Sequence, residues 1–267
     1  MSLRFHAMRA KASLDAPLVR CDAIPMTDQF PRIERLGVDG LLVRFSDRLD
    51  DVANRACIAF RTALEADRPA GVTETASSLG SVLVRFDGPR APLQAALETR
   101  LAQTDWHATA PQGPRTWHIP CSYGGEDGPQ LGDAANLAGL SEAQAIEMLS
   151  STPVRVLGLG FTPGMPYLGI LPPEWDLPRQ KELTPRVPAG ALVIAVRQLV
   201  LFGTDAPTGW RQIGRTGFQC LNIARPRPIA LRPGDHLLFP PVTPEEMRAR
   251  AAADAAGHGG ARLEEET

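Results

Sequence analysis

"GLGFTPGMPYLGILPP" occupies residues 158–173. Glycines at 158, 160, 164 and 169 are interspersed with prolines at 163, 166, 172 and 173. Proline removes a backbone donor and clashes with the preceding turn, so this stretch is no helix. Phe161, Met165, Tyr167 and Leu168 make it too apolar for a solvated linker. It reads as a stiff, turn-filled, apolar loop. Its glycines let the backbone approach a ligand or partner closely, and its prolines lower the entropic cost of ordering it. Short strands surround it, at 154–159, 191–196, 199–202, 210–214, 218–223 and 236–239, separated by Gly/Pro turns. Such a series indicates a mainly-β barrel or sandwich.

The chain before it has a different rhythm. Residues 31–46 contain "RIERLGVDGLLVRFS", in which Leu41, Val43 and Phe45 alternate with Leu42, Arg44 and Ser46. That is the period of a half-buried strand, with Asp39-Gly40 as a tight turn before it. A helix over 49–66 carries Val52, Ala56, Phe60 and Leu64 on one stripe, and Pro69-Ala70-Gly71 breaks it. Strands at 72–76 and 81–86 and a helix at 91–103, with Leu93, Leu97 and Leu101, complete a β-β-α-β-β-α unit. The predicted organisation is a flexible leader (1–28), a small α+β domain (29–106), a linker at 107–114, a β-barrel domain (115–242), and a C-terminal helix from Pro244 with a disordered charged tail (243–267). Two short helices broken at Gly139 lie early in the barrel domain. Ser141 and Gln144 form a capping box there.

Composition narrows the function. The chain has 267 residues, 43% hydrophobic and 22% charged, with a formal charge of −2. No global charge draws it to nucleic acid or an anionic membrane, and no apolar run has the length of a membrane span. The helix pair around Gly139 superficially suggests a DNA reader, but it carries Asp133, Glu142 and Glu147 and no cation for phosphate. The N-terminus is basic without a signal-peptide core. Cys21, Cys57, Cys121 and Cys220 are scattered, which fits reduced thiols in a cytoplasmic protein. No metal-ligand spacing, Walker loop, dinucleotide fingerprint or nucleophile elbow occurs. Only Lys11 and Lys181 are lysines. A fixed cation in a site is therefore expected to be arginine, suited to bidentate grip on carboxylate or phosphate.

The opening stretch stands with "YGGEDGPQL" (123–131), "PRQKELTPRVPAG" (178–190) and "APTGWRQIGRTG" (206–217). Together, in order and spacing over about residues 31–240, these resemble the KipI family. That family is also described as allophanate hydrolase subunit 1 or as the B subunit of 5-oxoprolinase, of the carboxyltransferase subdomain C/D type. The resemblance implies an α+β N-terminal domain followed by a cyclophilin-like β-barrel. It implies a subunit of an ATP-dependent amide-opening hydrolase, converting 5-oxoproline to glutamate or acting on an allophanate-type substrate. ATP, with magnesium, would be bound by the complex. The implied partners are a homologous second subunit and a third protein of the LamB/YcsF type. Two other roles attach to the family: inhibition of a sensor histidine kinase, and the carboxyltransferase part of a urea carboxylase. The latter needs a biotinyl lysine in A-M-K-M. Here "HAMRAK" (6–11) has Arg9 at that place, so no biotin is expected on this chain.

An amide opens when phosphorylation turns its oxygen into a leaving group, and such a site needs donors to anionic oxygens rather than a strong nucleophile. The motif arginines Arg179, Arg186 and Arg215 suit that, or else form structural ion pairs. Tyr123 and Tyr167 either orient substrate or are buried with one hydrogen bond. Glu126 is the candidate acid/base or magnesium carboxylate, or a cap for backbone N–H groups. Gln198 is a polar site residue or a strand-end amide. Phe161, Pro163, Gly164 and Pro166 with Tyr167 would line a groove facing the second subunit, and Trp210 is another wall or core. Glu126, Arg186 and Arg215 are thus the catalytic candidates, and the others the binding candidates. Five positions depart from the family pattern: Gln130 for aspartate, Thr184 for arginine, and Val196, Leu199 and Val200 for small residues. Their bulk is expected to narrow the site.

Overall fold

The computed structural model describes residues 29–109 and 115–265. The leader, most of the predicted linker and the last two residues lie outside the described residues, as does Cys21. The first unit follows the sequence pattern. β1 (Arg32–Leu36) and β2 (Gly40–Arg44) form a hairpin, followed by α1 (Asp51–Ala66), β3 (Val72–Ser77), β4 (Ser81–Phe86) and α2 (Arg90–Gln103). The hairpin turn is one step earlier than expected, at residues 37–39, because Leu36 pairs directly with Gly40. The sheet is antiparallel throughout, in the order β1-β2-β4-β3. Its core holds Leu41, Val43 and Phe45, from β2 and the residue after it, against Phe60 and Leu64 of α1. The α1 stripe is rotated from the predicted one. Val52 is exposed, and Ala53 and Cys57 are buried beside Ala56.

The second unit contains β5 (Arg115–His118), β6 (Cys121–Tyr123), α3 (Leu131–Leu137), α4 (Glu142–Ser151), β7 (Val154–Leu159), β8 (Pro166–Gly169), β9 (Thr184–Val187), β10 (Ala191–Ala195), β11 (Gln198–Leu201), β12 (Ala206–Thr208), β13 (Arg211–Thr216), β14 (His236–Leu238), α5 (Pro244–Ala253) and β15 (Arg262–Glu265). The capping box of Ser141 and Gln144 starts α4 as read from the sequence. Nine strands form one curled sheet, β15-β5-β14-β7-β8-β11-β10-β13-β6, and β9 pairs with β12 separately. The segment 115–123 engages both ends of the curl. β5 pairs with β14, Ile119 N–H donates to Leu238 O (2.8 Å), and β6 pairs with β13.

Three expectations are corrected. First, the apolar stretch is a hairpin rather than a loop, since Pro166–Gly169 is an interior strand between β7 and β11. Proline is tolerated there as the strand's first residue. Second, residues 218–223 make no strand and only an isolated bridge, Leu221 to Ile229. Their backbone is satisfied by neighbouring turns, as in Gln219 N–H to Gly257 O at 2.8 Å. Third, the end of the expected disordered tail is β15, an edge strand antiparallel to β5 with Leu263 opposite Trp117. Its charged side chains hid it, because an edge strand is held by its backbone.

The two units are tied at α1 and β7. Asn54, fully buried, donates to Leu79 O (3.0 Å) and Leu157 O (2.9 Å) and accepts from Arg155 (3.0 Å). Arg155, also buried, pairs with Asp51 at 2.6 Å. Burial opposes its charge, and Asp51 offsets that penalty. Replacing Asn54 by alanine strands the buried carbonyl of Leu157 and the half-buried one of Leu79, and takes a partner from Arg155. We expect Asn54→Ala to lower unfolding free energy by about 2–4 kcal/mol in urea titrations; a loss below about 1 kcal/mol would contradict this account of the junction.

Candidate functional site

Strand alternation builds the site. All five residues of β10 and all four of β11 are buried, so both faces of the sheet are covered here. Leu192, Ile194, Leu199 and Leu201 point into the large core beneath α3 and α4. Val193 and Val200, with Phe202, Met165 and Trp210, form a smaller cluster on the other face. That cluster floors a cavity of about 320 Å³. Its walls include Phe161, Tyr167, Arg179, Leu183 and Thr208. The cavity therefore gathers the 158–173, 178–190 and 206–217 stretches, and with them Phe161, Tyr167, Arg179 and Trp210 from the predicted set.

The hairpin tip that supplies Phe161 is held tightly. Gly164 adopts φ +78°, and a Cβ there would lie 2.5 Å from Cys220 O, so the tip packs against residue 220. Phe161 itself adopts φ +68° and is 76% exposed. A bulky aromatic in the left-handed region carries backbone strain, and here it holds an apolar ring at the cavity rim. Pro163 is exposed at the tip, and buried Pro166 begins β8. Arg179 lies over the Trp210 ring at 5.5 Å and makes no ion pair among the described residues. Such stacking contributes about 0.5–1 kcal/mol at an exposed site and leaves the N–H edge available.

Other expected residues lie elsewhere. Arg186 is exposed and ion-paired with Asp205, away from the cavity. The same pair, with Ala189 N–H, holds Asp205 below the usual carboxylate range. Arg215 lines a different cavity. The three motif arginines thus do not ring one crevice. Tyr123 donates to Phe239 O at 3.0 Å, and burial pushes its hydroxyl pKa well up, which makes it a structural tyrosine. Glu126 is exposed, and its carboxylate neither lines the cavity nor bonds any described residue. Gln198 opens β11, 5% exposed, with its Nε2 unpaired, and does not line the cavity.

Gln180 was missed, although it directly follows Arg179. Its Nε2 donates to Trp210 O (3.0 Å) and Thr184 Oγ1 (3.3 Å), and its Oε1 accepts from Gln130 (2.6 Å). Gln130 Oε1 in turn accepts from Gln212 N–H at 2.7 Å. Two of the departures from the family pattern, Gln130 and Thr184, are therefore joined through one neutral network behind the cavity wall. The other three separate: Leu199 is core, Val200 is cavity floor, and Val196 sits in the β10–β11 turn at φ +45°. Only Val200 adds bulk to the cavity, which stays open.

The network and the arginine should respond differently to truncation. Gln180→Ala leaves Trp210 O and Gln130 Nε2 unpaired and is expected to cost about 1–3 kcal/mol of stability. Arg179→Ala, at an exposed stacked position, should cost no more than about 1 kcal/mol. Urea denaturation of both variants checks this; equal losses would show that the wall does not depend on the amide network.

The chain is similar to several known proteins. The carboxyltransferase domain, subdomain C and D, matches residues 31–231. The chain is 39% identical over 172 residues to the B subunit of 5-oxoprolinase from Escherichia coli O157:H7, covering 64% of this chain and 78% of that protein. It is 28% identical over 233 residues to the B subunit of 5-oxoprolinase from Bacillus subtilis strain 168, covering 82% and 95% respectively. Among solved structures, TTHA0988 superposes with TM-score 0.65 at 30% identity, over 76% of this chain and 40% of that one. Kluyveromyces lactis urea carboxylase shares the fold with TM-score 0.67 at 18% identity, over 88% of this chain and 24% of that one. The chain belongs to the carboxyltransferase subdomain C and D family, among relatives named as the B subunit of 5-oxoprolinase.

Proposed function

We propose that this chain is the B-type subunit of a 5-oxoprolinase-like, ATP-dependent hydrolase and that the 320 Å³ cavity is its contribution to the substrate site. The observation that carries this reading is the meeting of four motif residues, Phe161, Tyr167, Arg179 and Trp210, around one apolar hollow with a single unpaired guanidinium at its edge. A five-membered lactam carboxylate has the matching form, with a compact apolar ring and one anionic end. Arg179, held over Trp210, would take the carboxylate bidentately, while Val200, Phe202 and Met165 exclude water from the ring. The cyclophilin-like character of the sheet belongs to the same reading.

The lining also bears on what else is needed. Among the described residues it contains Tyr167, Gln180 and Thr208 but no carboxylate, histidine or lysine. Such a wall can bind and orient, but it has no group suited to general base work at neutral pH. Opening the lactam requires phosphoryl transfer to the amide oxygen and attack by water on the activated carbon. The groups that bind ATP and magnesium and that activate water would then come from the homologous second subunit and a LamB/YcsF-type protein. Exposed Phe161 and Leu183, 76% and 66% accessible at the rim, would be covered by that assembly.

The chain should co-purify with the second subunit, and with the third protein added the complex should release glutamate from 5-oxoproline only when ATP is present. Arg179→Ala should lower kcat/KM by about 100-fold, chiefly through KM, since the interaction holds substrate and transition state alike. A folded, assembled complex without ATP-dependent glutamate release would refute the reading.

A further inference from the structure

A second cavity, of about 550 Å³, lies where α5 packs on the end of β13. The contact is close: a Cβ on Gly217 would sit 2.7 Å from Ala251 Cβ. Arg248 and Ala251 are one turn apart on α5 and share the face that lines this space. Arg215 enters from β13. Among the described residues the lining holds two arginines and no carboxylate; Thr216 and Gln219 add polar groups, and Leu221 and Met247 an apolar wall.

The charge is only partly compensated. The Arg215 guanidinium makes no hydrogen bond or ion pair among the described residues. Asp205 feels its charge, but its oxygens are taken by Arg186 and by Ala189 N–H. Arg248 pairs with Glu245 at 3.0 Å, with both side chains largely in solvent, an interaction of little strength.

We propose that this cavity is a binding site for a small, multiply charged phosphoryl oxyanion, held chiefly by Arg215 and secondarily by Arg248. The arginines approach from different elements. A tetrahedral phosphoryl group presents acceptors in several directions, whereas a planar carboxylate presents one edge, so the two-sided arrangement favours phosphate chemistry. The site is separate from the Arg179 cavity and is a property of the isolated chain, so it stands or falls independently of the hydrolase reading.

The experiment is calorimetric titration of the full chain with pyrophosphate, inorganic phosphate and citrate at low salt. Pyrophosphate should bind, more tightly than citrate, and should weaken as salt is added. Arg215→Gln should reduce pyrophosphate affinity at least about 10-fold and Arg248→Ala by a smaller factor, each with an unchanged thermal transition. Asp205→Asn should tighten binding by removing a competing charge. Arg179→Ala should leave it unchanged. Absence of pyrophosphate binding, equal binding by Arg215→Gln, equal loss in Arg179→Ala, or preference for citrate would each overturn the proposal. Should Arg215→Gln lower the thermal transition, Asp205→Asn decides instead, and no gain there counts against the site.

Discussion

The fold depends on one segment being hydrogen-bonded on both sides. Residues 115–123 pair with β14 through their first half and with β13 through their second. Beyond β14 the chain continues alongside, with Cys121 N–H donating to Pro240 O and Val242 N–H donating to Cys121 O. A sheet joined in this way must curl, and a curled sheet has two unlike faces. One packs α3 and α4 over a core that includes Trp117, Leu168, Leu192 and Phe239. The other carries a much smaller apolar cluster whose residues lie one position away on the same strands. The candidate site is the hollow over that smaller cluster.

This explains what was legible in the sequence and what was not. The α+β unit could be read almost element by element, because its sheet has one polar and one apolar face and period two is visible. "ALVIA" and "QLVL" in the second unit are buried on both faces, so strand position was evident but facing was not. Whether Leu199 or Val200 would line a site was decided by register with β8 and β10. Pro166–Gly169 was hidden by its flanking prolines and glycines, whose turn signal outweighed a short central strand. β15 showed no apolar alternation at all.

The arginines give the sharpest example. Three motif arginines were equivalent on paper, and the structure separates them by partner. Arg186 pairs with Asp205, 19 residues along, while Arg179 and Arg215 make no ion pair among the described residues. Other arginines show the same long reach: Arg211 pairs with Asp133 across 78 positions and Arg115 with Asp235 across 120. A cation neutralised by a partner that distant cannot be recognised from its local motif. Electrostatic availability, rather than motif membership, identifies the arginines able to meet a ligand.

The same reasoning bears on the coupled departures at Gln130 and Thr184. The sequence resemblance leads one to expect an aspartate and an arginine at these positions, and here neutral side chains occupy both. They meet through Gln180, whose amide spans from Gln130 to Trp210 O. The wall is held by amide hydrogen bonds, with no charge in the network that needs a partner. Among the described residues Arg179 is the only charged group lining that cavity. A neutral scaffold behind it leaves its positive charge directed at whatever enters, and this favours an anionic occupant without any further residue changing.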